Sequence, residues 1–195
     1  MKNAVKIIEM TDDTVTVGGY GVVFGGADLE GETFSKSTDF MLDLVPNKLV
    51  MYDHAMQDAV KHVIGSAPNG SIKSDDVGLW VEAQLERSAA YVTEIVSLVK
   101  AGVIGWSSGT APHLVQMAGK SITTWPIIEF SLTPTPAEPR TLGVDVLKAL
   151  SEIQPELKAL LPEAAGDVAE GATDGGDFSG LQLQAKATLF LLGEK

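Results

Sequence analysis

Residues Arg87–Thr110 read RSAAYVTEIVSLVKAGVIGWSSGT, and the order of helix, glycine, strand and serine within them decides the fold. Tyr91, Val92, Ile95, Val96 and Val99 recur at helical spacing. Ser88 is placed to accept from a free N–H at the helix start, and Gly102 suits the left-handed position that ends a helix. The spacing predicts a helix of about three turns. Val103, Ile104, Gly105 and Trp106 then make an apolar run of buried-strand character, which delivers Ser107 within Gly105-x-Ser107-x-Gly109. In an α/β-hydrolase that pattern sits on a strand-to-helix elbow, with the helix after the serine. Here the helix comes first, and Thr110, Ala111 and Pro112 are a poor helix start, so the elbow reading loses support.

Upstream of this stretch the text is sheet. Val5–Met10 and Thr14–Phe24 read as a hairpin around Asp12 and Asp13, and Gly18, Gly19 and Gly21 mark a bulge or sharp bend in its second strand. Those glycines form no GxGxxG opening a helix, which argues against dinucleotide binding. A short helix is expected around Thr38–Val45, then a strand Lys48–Tyr52 that delivers Asp53 and His54. Strands His62–Ala67 and Ser71–Ser74 flank the turn Pro68-Asn69-Gly70, and Gly78–Leu85 alternates as a half-buried strand should. Downstream, His113–Met117 and Ile122–Leu132 read as a further pair, with Pro126 forcing an edge or a bulge. From Val144 the pattern turns helical, with Val144, Leu147, Leu150 and Ile153 on one face, and Glu156–Leu161 is expected as a second short helix.

The chain has 195 residues, of which 45% are hydrophobic and 21% charged, enough for one sizeable core. With no cysteine it has neither disulfides nor thiolate metal sites. A formal charge of -12 argues against a dedicated nucleic-acid binder, whose affinity rests on clustered Lys and Arg. The N-terminal residues lack the apolar core of a signal peptide and no apolar run is long enough to span a bilayer, so a soluble cytosolic protein is expected. The division expected is a domain over 1–161, an acidic Gly- and Ala-rich linker over 162–180 and a terminal segment over 181–195 whose alternating leucines suit a strand or an assembly contact.

A serine nucleophile needs a base, and only His54, His62 and His113 offer an imidazole. His54 follows a strand at its open end; the other two begin strands. Glu129 interrupts the apolar run Trp125–Leu132 and is either a buried carboxylate with a partner or a solvent-facing residue of a two-sided sheet. Alternation groups Ile127, Glu129 and Ser131 against Ile128, Phe130 and Leu132. Asp53 is the competing carboxylate, and Ser108 the competing hydroxyl. No HExxH or similar spacing points to a metal, and no cofactor motif is present.

Taken in order, these blocks resemble the prohead serine proteases of tailed phages, related in fold to herpesvirus assemblin. The resemblance covers roughly 17–146 and rests on Gly21–Asp28 with Gly31–Phe34, the strand to His54, Val63–Gly65, Gly78–Val81, the helix through Gly102 to Gly109, and Glu129–Leu132 with Pro136-Ala137. It implies an α+β, mainly antiparallel fold: a closed barrel of about six to eight strands with surrounding helices. It places the catalytic histidine at His54, the serine at Ser107 and the third member at Glu129, with oxyanion donors near Ser108 and Gly109 or near Arg140. The substrates implied are the major capsid protein, its delta or scaffolding segments and the protease itself, cleaved inside the procapsid in the host cytoplasm, with self-association open and no nucleic acid or membrane partner. Two other readings stay open on the residues alone: a non-catalytic procapsid assembly protein of the same fold, and a small-molecule esterase.

Overall fold

The computed structural model describes residues 3–54, 62–89 and 91–161. The hairpin is present as β1 (Lys6–Met10) and β2 (Thr14–Val23). β3 (Asn47–Tyr52), β4 (Val63–Pro68), β5 (Ile72–Ser74) and β6 (Gly78–Glu86) lie where alternation predicts them. The helix α1 (Val92–Ala101) leads into β7 (Gly105–Thr110). β8 (Gln116–Ala118), β9 (Ser121–Thr124), β10 (Ile127–Thr133) and α2 (Val144–Ile153) complete the order. The expected linker and terminal segment lie outside the described residues.

The main sheet runs β1-β2-β6-β4-β3-β10-β7, with β5 added to β6, while β8 and β9 form a separate pair. It curls into a half-barrel, and the expectation of a closed barrel is corrected. β7 ends the ladder without pairing to β2. A short 3-10 turn at Pro139–Thr141 packs against both, and the Thr141 hydroxyl lies between the carbonyls of Glu138 (2.8 Å) and Trp106 (3.2 Å), which ties the turn to β7. Arg140 of the same turn reaches the Gly25 carbonyl beyond β2. The sheet also contains one parallel pair: β10 runs beside β3 with Glu129 opposite Leu49 and Leu132 opposite Tyr52.

Local departures have local causes. α1 begins at Val92, after Tyr91 in the left-handed region (φ 69°) and without a side-chain cap, so Ser88 is not the N-cap. Its end is as expected: Gly102 takes φ 69° and its N–H reaches the carbonyls of Leu98 and Val99. The helix expected at Thr38–Val45 is a single 3-10 turn, Leu42–Leu44, bound through its carbonyl at Leu42 to the buried Lys48 ammonium (2.7 Å). The helix expected at Glu156–Leu161 is likewise a 3-10 segment, Pro155–Leu160. Pro126 breaks the run from 122 to 132 into β9 and β10. Ile153, expected on the packed face of α2, is 51% exposed, while Leu147, Leu150 and Ser151 are the buried residues of that helix.

The core sits inside the curl. Val15, Val17, Val81, Ala83 and Leu85 are fully buried, as are Trp106, Phe130 and Leu132, while Ile95 and Val99 bring α1 onto them. Each large side chain contributes about 1.5–3 kcal/mol on leaving water. Trp106 meets Phe130 edge-on, with centroids 6.0 Å apart. Gly21 lies where β2 shifts register between Tyr20 and Val22; a Cβ there would meet Phe130 and Val81, so close packing explains this glycine. The result is a rigid wall behind β10 and β7.

Candidate active site

β10 has an unusual interior. Phe130 and Leu132 face the apolar core at 0% exposure, yet Glu129 (2%), Ser131 (0%) and Thr133 (1%) on the other face are buried too. The register shift between Ile127 and Glu129 sets Ile127 opposite Thr110, so Ile127 departs from the Glu129 face on which plain alternation puts it. Glu129 is therefore a buried carboxylate with partners.

Those partners come from the turn that follows β3. Because β3 and β10 are parallel, the chain leaving Tyr52 passes over the polar row of β10. Asp53 and His54 both adopt positive φ (55° and 49°). Such backbone costs about 1–2 kcal/mol per non-glycine residue and needs compensation. Three hydrogen bonds to β10 supply it: Asp53 N–H to the Leu132 carbonyl (3.0 Å), His54 N–H to Ser131 Oγ (3.2 Å) and Thr133 Oγ1–H to Asp53 Oδ1 (2.6 Å). The turn so held points the imidazole at Glu129, with Nδ1 2.8 Å from Oε1. Ser131 donates to the other carboxylate oxygen at 2.7 Å.

The electrostatics follow from this geometry. The hydrogen bond to Glu129 raises the His54 pKa above the ordinary histidine value; burial works against it, and the charges of Glu129 and Asp53 add to the rise. Asp53 acts on the ring only through its charge, since its carboxylate is taken by Thr133. With Nδ1 engaged by the carboxylate, Nε2 is the nitrogen left to face a reacting group.

Ser107 lies on β7 opposite Ser131, and Gly109 opposite Glu129. Cross-strand partners share a face, so Ser107 is on the side of the carboxylate and the imidazole. Ser107 and His54 line one pocket of about 230 Å³, together with Trp106, Ser108, Thr110 and Trp125. Asp28, Glu30, Glu32 and Glu138 also line it. Burial and the neighbouring Asp28 and Glu30 push the Glu32 carboxyl above the usual range. Ser108, next along the strand, alternates away from the Glu129 face but still borders the pocket, where its Oγ accepts from Trp125 Nε1 at 3.1 Å. His113 lies in the exposed 3-10 turn Pro112–Leu114, and His62 stacks on Tyr91 with centroids 6.5 Å apart; neither lines the pocket. The Arg140 N–H, one site considered for an oxyanion donor, is engaged by Glu138 Oε1 at 2.9 Å.

The structure thus brings His54, Ser107 and Glu129 to one locality, from the turn after β3, from β7 and from β10. Sequence reasoning missed Ser131 and Thr133. The signal was present as Glu129-x-Ser131-x-Thr133, three polar residues at strand spacing in an otherwise apolar run.

A model of the caudovirus prohead serine proteases matches residues 2–152, and the chain belongs to that family. Membership makes it a serine protease of phage maturation, with capsid-related proteins as substrates and the prohead interior as its place of action. No curated protein matches the chain. Among the described residues no helix is long and apolar enough to cross a membrane.

Proposed function

We propose that the chain is an endopeptidase whose triad is Ser107, His54 and Glu129, acting on shell or scaffolding chains during prohead maturation. The observation that carries this reading is the 2.8 Å contact of Glu129 with His54 Nδ1, in a pocket that His54 shares with Ser107. Nε2 of His54 takes the Ser107 proton as Oγ bonds to the peptide carbonyl carbon, then gives it to the departing amine. Water repeats the sequence on the acyl-enzyme and frees the serine. Glu129 holds the tautomer and stabilises the imidazolium while it exists. Backbone N–H groups around Ser108 and Gly109 are the donors for the oxyanion. An assemblin-like ancestry of the half-barrel belongs to the same reading, as does self-cleavage beyond about residue 162.

Ser108 lines the same pocket, and Ser107 is favoured over it because Ser107 shares the strand face of Ser131 and Glu129, while the Ser108 hydroxyl accepts from Trp125. Co-expression with the capsid protein tests the assignment. Ser107→Ala and His54→Ala abolish processing of shell or scaffold chains, and Glu129→Gln slows it. Processing that survives Ser107→Ala and stops with Ser108→Ala moves the nucleophile by one residue. Processing untouched by all four variants leaves an assembly role for the fold.

A further inference from the structure

The triad reading leaves one buried hydroxyl unexplained. Ser131 is fully buried, lies opposite Ser107 across the strand pair, and makes two contacts with the other members. It donates to Glu129 Oε2 (2.7 Å) and accepts the backbone N–H of His54 (3.2 Å). A hydroxyl has one proton and two lone pairs, so one group satisfies a buried carboxylate oxygen and fixes a left-handed backbone residue at once. An alanine there would leave both without that partner at a buried position.

We propose that Ser131 is a positioning residue of the reaction: it locks the Glu129 carboxylate and the His54 main chain together, so that the imidazole meets Ser107 in one orientation. The proposal rests on the triad reading for its kinetic consequence, although the lock itself is independent of it. Ser131 touches no substrate. Its loss should act on turnover and leave binding alone, because the pocket walls that hold a peptide come from other residues. Removal lets the carboxylate rotate away from Nδ1, and the imidazole loses the interaction that makes it more basic.

The test compares wild type with Ser131→Ala and Ser131→Thr. For Ser131→Ala we expect kcat to fall about 10- to 100-fold with KM little changed, as misplacement of a reacting group does. Ser131→Thr restores a hydroxyl at the same place and recovers most of the loss. The second readout is imidazole nitrogen NMR of the full chain, with His54 assigned by its absence in His54→Ala. In Ser131→Ala the His54 titration moves to lower pH and its Nδ1 proton exchanges faster. Among the described residues the charges around this ring are Glu129 on β10, Asp53 in its own turn and, lining the same pocket, Asp28, Glu30, Glu32 and Glu138, all unaltered by the substitution. A His54 titration identical in wild type and Ser131→Ala overturns the proposal, whether or not the protein cleaves. A normal shift combined with full processing in Ser107→Ala overturns the triad and leaves the lock standing. Should Ser131→Ala unfold, Ser131→Cys supplies a weaker donor of similar size, and an unchanged titration there is equally fatal.

Discussion

Gly109 faces the carboxylate of Glu129: the two are register partners on β7 and β10, and a Cβ on residue 109 would fall on Oε1. The second glycine of the Gly-x-Ser-x-Gly pattern is therefore room for an acid, not a turn. Gly109→Ala should displace the carboxylate from His54 and reduce turnover about 10- to 100-fold. Processing assays on protein of matched folded fraction check this, and wild-type rates would show that the carboxylate needs no such space.

The raised pKa of His54 sets a pH dependence. A general base must be neutral, so the acid limb of kcat/KM should lie above the ordinary histidine value of about 6.5. Glu129→Gln, which removes the main cause of the rise, moves that limb down. For stability the sign is the reverse of activity: a raised folded-state pKa favours the fold below the unfolded value, and that contribution fades as pH climbs through the folded one. A limb that stays in place in Glu129→Gln would contradict the pairing.

Tyr20 offers a separate titration. Burial, the hydrogen bond it donates to Asp75 Oδ2 (2.6 Å) and the Asp75 charge push its phenol up to about 12. The folded state should lose stability as pH rises from about 10, the ordinary tyrosine value, towards that pKa. Ultraviolet titration reads it directly: a late phenolate signal present in wild type and missing in Tyr20→Phe.

Gly21→Ala places a methyl against Phe130 and within 2.9 Å of Val81 Cγ2, in the wall behind the site. Overpacking of this kind costs about 1–3 kcal/mol, measurable by urea denaturation. Unchanged stability would mean that β2 can move outward freely.

Much of this was legible. The glycine stop at 102, the strand that carries Ser107 and the strand that ends at Tyr52 before His54 all followed from local pattern, because capping and alternation are local physics. The burial of Glu129 was not, since the shift between Ile127 and Glu129 breaks strict alternation where it matters. Nor was the parallel pairing of β3 with β10, which joins segments about 80 residues apart and leaves no mark in either one. The closed barrel failed for a similar reason: the turn Pro139–Thr141 that packs against both β2 and β7 reads as an ordinary loop.

Parallel pairing gives the site the character of a vernier. Contacts 53 to 133, 54 to 131 and 54 to 129 are three marks between β10 and the turn that continues β3 alongside it, and all three coincide at a single offset. A slide of β10 by one residue would miss every mark at once, so the chemistry would be switched off by shear long before the sheet came apart.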